Sequence, residues 1–332
     1  MGRRFAHALM ALLLLVGCAA AASAQRAPVS GFAVGKEGVR LHYLDFGGRG
    51  DPVLLLAGPG NTAWIYSDFA PRLTGEHRVL ALTRRGHGAS DMPAAGYDQA
   101  TLAADIGLFL DALRIRRVHL VGHSEAGSEM TLFAAQHPER VASLVYLDAA
   151  YDRTGQEAVE RNSPDHPAPP TAADRATPDA FIAYLFRTRP VYALFPHDVV
   201  ERDCRASIAP RADGSWGYRM GEAQFGEMQR SIVAAPPAYE RLRSPALAIY
   251  AVARPEYRLA AATPEMRARI EHFLAETVVP WRQASIAQFR AHARQGTVVE
   301  VDAVHHLFLQ KPAEAARIVN DFLRRHPAPP GA

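Results

Sequence analysis

Residues 120–130, LVGHSEAGSEM, set a serine between an apolar run and the start of a helix. The run before it, VHLVG, reads as a strand. EAGSEMTLFAAQHP after it reads as a helix that Pro138 closes. A strand turning sharply into a helix forces Ser124 into a strained backbone conformation and lifts its Oγ above the sheet edge. Strand and helix crowd together at such a turn, so the neighbouring positions must be small. Gly122 and Ala126 stand there, with Gly127 just beyond. The helix start also aims backbone amides at any anion beside Ser124. The same few residues fit a plain strand-to-helix turn with a serine cap, so the reading depends on what the rest of the chain supplies.

Working outward, the same alternation recurs. FAVGKEGVRLHYLDFG (32–47) reads as strand, turn, strand. DPVLLLAGPGN (51–61) and HRVLALTRRGHG (77–88) are short apolar runs ending in loops, as suits strands buried on both faces. AWIYSDFAPRL (63–73) reads as a helix, and TLAADIGLFLDALRI (101–115) has apolar residues at helical spacing. VASLVYLDAA (141–150), PALAIYAVA (245–253) and TVVEVDAV (297–304) are further strands; 263–295 and 312–325 are helical. Strand and helix alternate with short links, which predicts an α/β domain with a mostly parallel sheet. The rhythm breaks over residues 151–240, rich in Pro, Asp and Arg, with an aromatic stretch at 181–195. This segment is expected to be an inserted helical cap, leaving 25–150 and 241–332 as the core.

The chain has 332 residues, 48% of them apolar, enough for one large core. Residues 1–24 read as an export signal: Arg3 and Arg4, an apolar stretch at 8–17 too short to anchor stably, then ASA at 22–24 before Gln25. LVGC at 15–18 offers a second ending, a lipobox that would leave Cys18 lipidated and give a membrane tether. Removing residues 1–24 takes two from the formal charge of +3, which gives no argument for nucleic acid. Cys18 and Cys204 are the only cysteines, so no disulfide is expected, and Cys204 reads as incidental.

The loop AGPGN, the turn RRGHGASD, the elbow GHSEA and a late histidine before the last helix make the chain resemble the α/β-hydrolase superfamily, across nearly all of its length after the leader. The resemblance implies a central sheet of about eight strands flanked by helices. It also implies a triad in chain order nucleophile, acid, histidine. Ser124 would be the nucleophile. Of the two late histidines, His305 matches the family's spacing to the last helix better than His306, which would then be a pocket wall. The acid departs from the usual pattern. The strand ending AIYAVARPEYR has no Asp, and Glu256 is its only carboxylate. Asp148 at the end of VYLD matches the minority that place the acid one strand earlier, beside the nucleophile's strand. It is preferred, with Glu256 second.

The expected oxyanion donors are the backbone N–H of Glu125 and one from AGPGN. The loop's usual leading histidine is replaced by Leu56-Ala57, and Pro59 has no N–H to give, which leaves Gly58, Gly60 or Asn61. Trp64 and Tyr66 could line the acyl pocket, with Phe181 and Tyr184 as part of its ceiling; each fits core packing equally well. Arg84, Arg85 and His87 read as turn-stabilising. A metal reading of His305, His306 and Asp302 is weak, since adjacent residues on one loop point apart. No nucleotide, flavin or metal motif appears, and no cofactor is expected. The leading expectation is an exported serine hydrolase acting on a small-molecule carboxylic ester. Two alternatives stay open: an aminopeptidase or amidase of the proline iminopeptidase kind, using Asp165, Glu201 or Asp203 to hold an amine, and a binding protein on the same scaffold. Epoxide hydrolase and dehalogenase chemistry is disfavoured because those relatives attack with Asp at this turn.

Overall fold

Alternate residues of the apolar runs go to opposite faces of one sheet. Val53 and Leu55 join one apolar cluster while Leu54 and Leu56 join another; Val145 and Leu147 divide from Leu144 and Tyr146 in the same way. A computed structural model describes residues 27–156, 159, 163–164, 166–252 and 263–328. Its main sheet has eight strands, β1 (Val29–Val34), β2 (Arg40–Gly47), β3 (Pro52–Leu56), β4 (Arg78–Leu82), β5 (Val118–His123), β6 (Val141–Leu147), β9 (Ala246–Ala251) and β10 (Gly296–Val301). Their order is β1-β2-β4-β3-β5-β6-β9-β10. β1 and β2 run antiparallel at one edge, and every pairing from β4 to β10 is parallel. β5 and β6 are buried along their whole length, which explains their largely apolar sequences; the polar His119 and Ser143 buried in them bond to each other at 2.8 Å.

One face is covered by α1 (Gln99–Ala112), α2 (Ala126–Gln136) and α7 (Val279–His292), through Ile106, Phe109, Phe133 and Phe289. The other is covered by the last helix, α9 (Pro312–Arg325), the short α8 (Leu307–Gln310) and the stretch after β3. Between β6 and β9 lie α3 (Pro178–Thr188), α4 (His197–Ser207), a hairpin of β7 (Ile208–Pro210) and β8 (Trp216–Tyr218), and α5 (Glu222–Ile232). Phe181, Tyr184, Leu185 and Phe195 from this segment share one buried cluster with Tyr66 and Phe308.

Two expected helices take other forms. Residues 63–73 form two 3-10 turns, Ala63–Tyr66 and Ala70–Arg72, because Pro71 cannot donate the bond an α-helix needs there. The stretch after β9 is α6 (Pro264–Phe273) and α7 joined by a π turn, Leu274–Val278. Pro280, in the first turn of α7, lacks the amide that would have continued the α ladder.

Parallel pairing aligns the C-terminal ends of the central strands. Leu56 pairs with Gly122, Gly122 with Tyr146, and Leu147 with Ile249. The loops after β3, β5, β6 and β10 therefore emerge on one rim, where open α/β sheets bind ligands.

Candidate active site

Ser124 follows β5 with φ 56, a left-handed backbone that is rare outside glycine. Its N–H donates to the Leu147 carbonyl at 3.3 Å, and its own carbonyl accepts from Gly127 N–H at 3.1 Å. The glycines around it are there for space. A Cβ on Gly127 would stand 2.1 Å from the Ala149 carbonyl oxygen, and one on Gly122 2.6 Å from Met130 Sδ. From the other side a Cβ on Gly58 would meet Ser124 Cβ at 2.9 Å, so the loop after β3 presses directly on the serine.

Asp148, one residue beyond β6, also has a left-handed backbone, φ 48. Its buried carboxylate is held from three sides. Tyr151 Oη donates to Oδ1 at 2.6 Å, the Ala251 N–H donates to Oδ1 at 3.0 Å, and His305 Nδ1 lies 2.6 Å from Oδ2. Burial and the adjacent Asp148 charge keep the Tyr151 phenol far above its ordinary pKa, so it stays a donor. A carboxylate on Nδ1 puts a proton there and leaves His305 Nε2 as the basic nitrogen. Half-exposed His305, Ser124, and buried Asp148 and Tyr151 meet at one cavity of about 570 Å³. Ser124 itself is half-buried at its edge.

The neighbouring histidines are of a different kind. His306 is pushed down to about 3 by burial and by His305, so it is neutral; its Nε2 lies 3.5 Å from Asn61 Oδ1. It lines the cavity wall while His305 takes the carboxylate. His123 is held well below its usual value, chiefly by burial, and its Nε2–H donates to the His305 carbonyl at 3.2 Å. Its ring is 4.5 Å from each of the other two.

The loop after β3 is braced at both ends. Gly60 N–H donates to His87 Nε2 at 3.0 Å, and Asn61 N–H donates back to the Gly58 carbonyl at 3.3 Å. Burial and Arg84 push His87 down to about 4, which keeps it neutral and able to accept. Asp203 of α4 accepts from Asn61 Nδ2, Thr62 N–H and Thr62 Oγ1 at 2.6–2.8 Å. Of the three candidate donors, two amides are thus engaged, and buried Gly58 is the one beside Ser124. The Glu125 carboxylate turns aside to the amides of Gln156 and Gln229.

The aromatic residues expected at the pocket are placed elsewhere. Tyr66 is fully buried, donates to the Leu56 carbonyl at 2.9 Å and packs on Phe308. Phe181 and Tyr184 are buried in the same cluster, and Trp64 packs against it under the Arg202 guanidinium. The cavity's described aromatic and apolar wall comes from Tyr151, Phe273, Leu274, Val278 and Trp281, with Trp281 stacked on Tyr151 at 4.5 Å. Aromatic runs mark apolar surface in a sequence but not which cavity they face. The one local signal for Tyr151 was its place three residues after Asp148.

The carboxylates considered for holding an amine are occupied or undescribed. Asp203 is consumed by the loop after β3, Glu201 pairs with Arg205 at 2.7 Å, and Asp165 lies outside the described residues. So do Glu256 and residues 1–26, with Cys18. Arg84 and Arg85 pair with Glu129 and Asp105 beneath the rim. Among the described residues no group of three or more His, Cys, Asp or Glu could hold a metal ion. Burial raises the Cys204 thiol to about 12, so it is not a thiolate at neutral pH.

A family model described as alpha/beta hydrolase fold matches residues 51–312. A non-heme chloroperoxidase from Streptomyces lividans is 37% identical over 116 residues, 34% of this chain and 42% of the relative. An N-formylmaleamate deformylase from Pseudomonas putida is 33% identical over 137 residues, 41% of this chain and 51% of the relative. The chain thus spans about half or less of these curated relatives. A crystal structure of E-2-(acetamidomethylene)succinate hydrolase superposes with a TM-score of 0.64 at 20% identity, covering 90% of this chain and 99% of that one.

Proposed function

The chain belongs to the α/β-hydrolase fold family, and from that premise we propose that it is a serine hydrolase cleaving a small-molecule carboxylic ester. The observation that carries this reading is the His305 Nδ1–Asp148 Oδ2 contact of 2.6 Å at a cavity whose wall includes Ser124 in a left-handed turn.

In this mechanism Ser124 Oγ attacks the acyl carbon while His305 Nε2 takes the hydroxyl proton. Asp148 holds the imidazole in its Nδ1–H tautomer and stabilises the imidazolium; Tyr151 and the Ala251 N–H keep that carboxylate fixed. The tetrahedral oxyanion takes the N–H groups of Glu125 and Gly58. Gly58 is chosen because the Gly60 and Asn61 amides are already bonded. His305 then protonates the departing alcohol, and water, deprotonated by the same nitrogen, releases the acid from Ser124.

The test is a fluorophosphonate probe with a panel of p-nitrophenyl esters. The expected result is labelling mapped to Ser124, and turnover in Ser124→Ala lower by on the order of a millionfold. Undiminished ester cleavage in that variant would refute the assignment. Aminoacyl-β-naphthylamides on the same protein separate ester from amide preference. Ligand binding without labelling would instead support a binding protein.

We also infer export, from the sequence of residues 1–24. Sequencing the mature N-terminus decides between Gln25 and an acylated Cys18; an intact Met1 would remove the inference.

A further inference from the structure

The described chain buries three arginines: Arg84, Arg85 and Arg153. Two are neutralised by a fork of hydrogen bonds to a carboxylate. Arg84 reaches Glu129 at 2.9 and 2.7 Å, and Arg85 reaches Asp105 at 2.7 and 2.8 Å. Arg153 is 5% exposed, as deep as these, yet forms no ion pair among the described residues. Its Nη1 donates to the neutral Gln156 Oε1 at 2.6 Å, its Cζ lies 5.7 Å from the Tyr151 ring, and its Nε is buried with no acceptor. A guanidinium cannot shed its charge at any ordinary pH, so burial without an anion is costly.

Arg153 lines the same cavity as Ser124, and so does Arg282, whose Nη1 donates to the Ala251 carbonyl at 3.3 Å. The carboxylates among the cavity's described residues are spent on other groups. Glu125 is taken up by the amides of Gln229 and Gln156, and Asp148 by Tyr151, the Ala251 N–H and His305. The site holds two cations whose polar partners among the described residues are neutral. The rest of its described wall is largely apolar: Phe273, Leu274, Val278 and Trp281.

We propose that the substrate carries a second, anionic group, a carboxylate that Arg153 and Arg282 bind while its acyl carbon lies at Ser124. The substrate class is a half-ester of a short dicarboxylic acid. The apolar wall holds the hydrocarbon between the two ends, and the planar guanidinium fork suits a carboxylate. This rests on the hydrolase reading of Ser124 and adds to it the chemistry of the acyl group.

The experiment compares p-nitrophenyl hemiglutarate with its neutral counterpart of equal chain length, p-nitrophenyl valerate. It uses wild type, Arg153→Gln and Arg153→Lys. The readout is the ratio of kcat/KM for the acidic over the neutral ester, since partial misfolding lowers both alike. A ratio of at least about tenfold is expected in wild type, falling towards one in Arg153→Gln and partly kept in Arg153→Lys. A second arm titrates glutarate and neutral glutaramide into Ser124→Ala by calorimetry, where no chemistry can occur. Glutarate should bind and glutaramide should not, and adding Arg153→Gln should abolish the difference. A wild-type ratio near one with equal binding of the two ligands overturns the proposal, and fluorophosphonate labelling of Ser124 then leaves the hydrolase reading standing. Arg153-dependent glutarate binding without labelling or ester cleavage does the reverse. It keeps the anion site and removes the nucleophile.

Discussion

Asp148 is buried, ionisable and held by two protein donors besides the imidazole. Asp148→Asn should keep the packing but present an amide to His305 and favour the wrong tautomer. A loss of about 10⁴-fold in kcat is expected from steady-state kinetics, with little change in KM. Tyr151→Phe removes one donor and should lower kcat about tenfold, the worth of one hydrogen bond to a charged group. A variant of Asp148 with undiminished kcat would return attention to Glu256. That Asp148 and His305 could meet was readable from strand order, because one follows β6 and the other β10 at the same rim. The second oxyanion donor was not readable. The proposed choice turns on which amides of AGPGN are already bonded, and His87, 27 residues from Gly60, occupies one of them. Arg153 and Gln156 gave no signal either, since a charged residue in a polar stretch reads as solvated surface until the fold buries it.

Between elements, the closest approach at the site is α2 on the loop after β6. Gly127→Ala would drive a methyl into the Ala149 carbonyl. Because that atom is backbone, relief requires moving the helix. A loss of about 1–3 kcal/mol in urea unfolding is expected, with activity falling as the elbow shifts. Asp203 ties α4 to the loop after β3, and burial raises its carboxyl to about 6, above the roughly 3.9 of an unfolded Asp. With the folded value the higher one, the native state holds the extra proton between these limits. Asp203's contribution is therefore complete below about pH 4 and is lost as pH rises through about 6. Measured against Asp203→Asn, the wild type's stability should fall by about 2–3 kcal/mol from pH 4 to 7. A flat difference would mean that the carboxylate is fully compensated by its three donors. At this scale the buried parallel strands were legible as short apolar runs. The irregular helices were not, because Pro71 and Pro280 act on one hydrogen bond each and leave the apolar spacing intact.

Among the described residues of the whole molecule each face of the sheet carries a large apolar layer, and α3 and α4 contribute to one of them. Although a segment of such composition reads as a separate cap, its aromatic residues and Phe308 of the core share one cluster. Unfolding is therefore expected as one transition, with far-ultraviolet circular dichroism and tryptophan fluorescence coinciding; Trp216 reports the hairpin of the inserted segment and Trp281 the helix against the sheet. A separate early fluorescence change would show that α3 and α4 melt from the core. Fold class was legible at this scale because parallel strands leave so few ways to connect them. The direction in which the inserted aromatics face was not, since an amphipathic helix shows that one side is buried but not which surface it meets.

Among the described residues, four that are not glycine have left-handed backbones: Glu37, Arg114, Ser124 and Asp148. Two of them are the proposed nucleophile and its acid partner, each immediately beyond a central strand. Relaxing such positions to glycine for heat resistance trades strain for function at the rim: at Ser124 it would remove the hydroxyl, and at Asp148 it would strip the acceptor from the Tyr151 hydroxyl and the Ala251 N–H, so stability would fall there too. Glu37→Gly and Arg114→Gly are the places where durability and turnover do not compete.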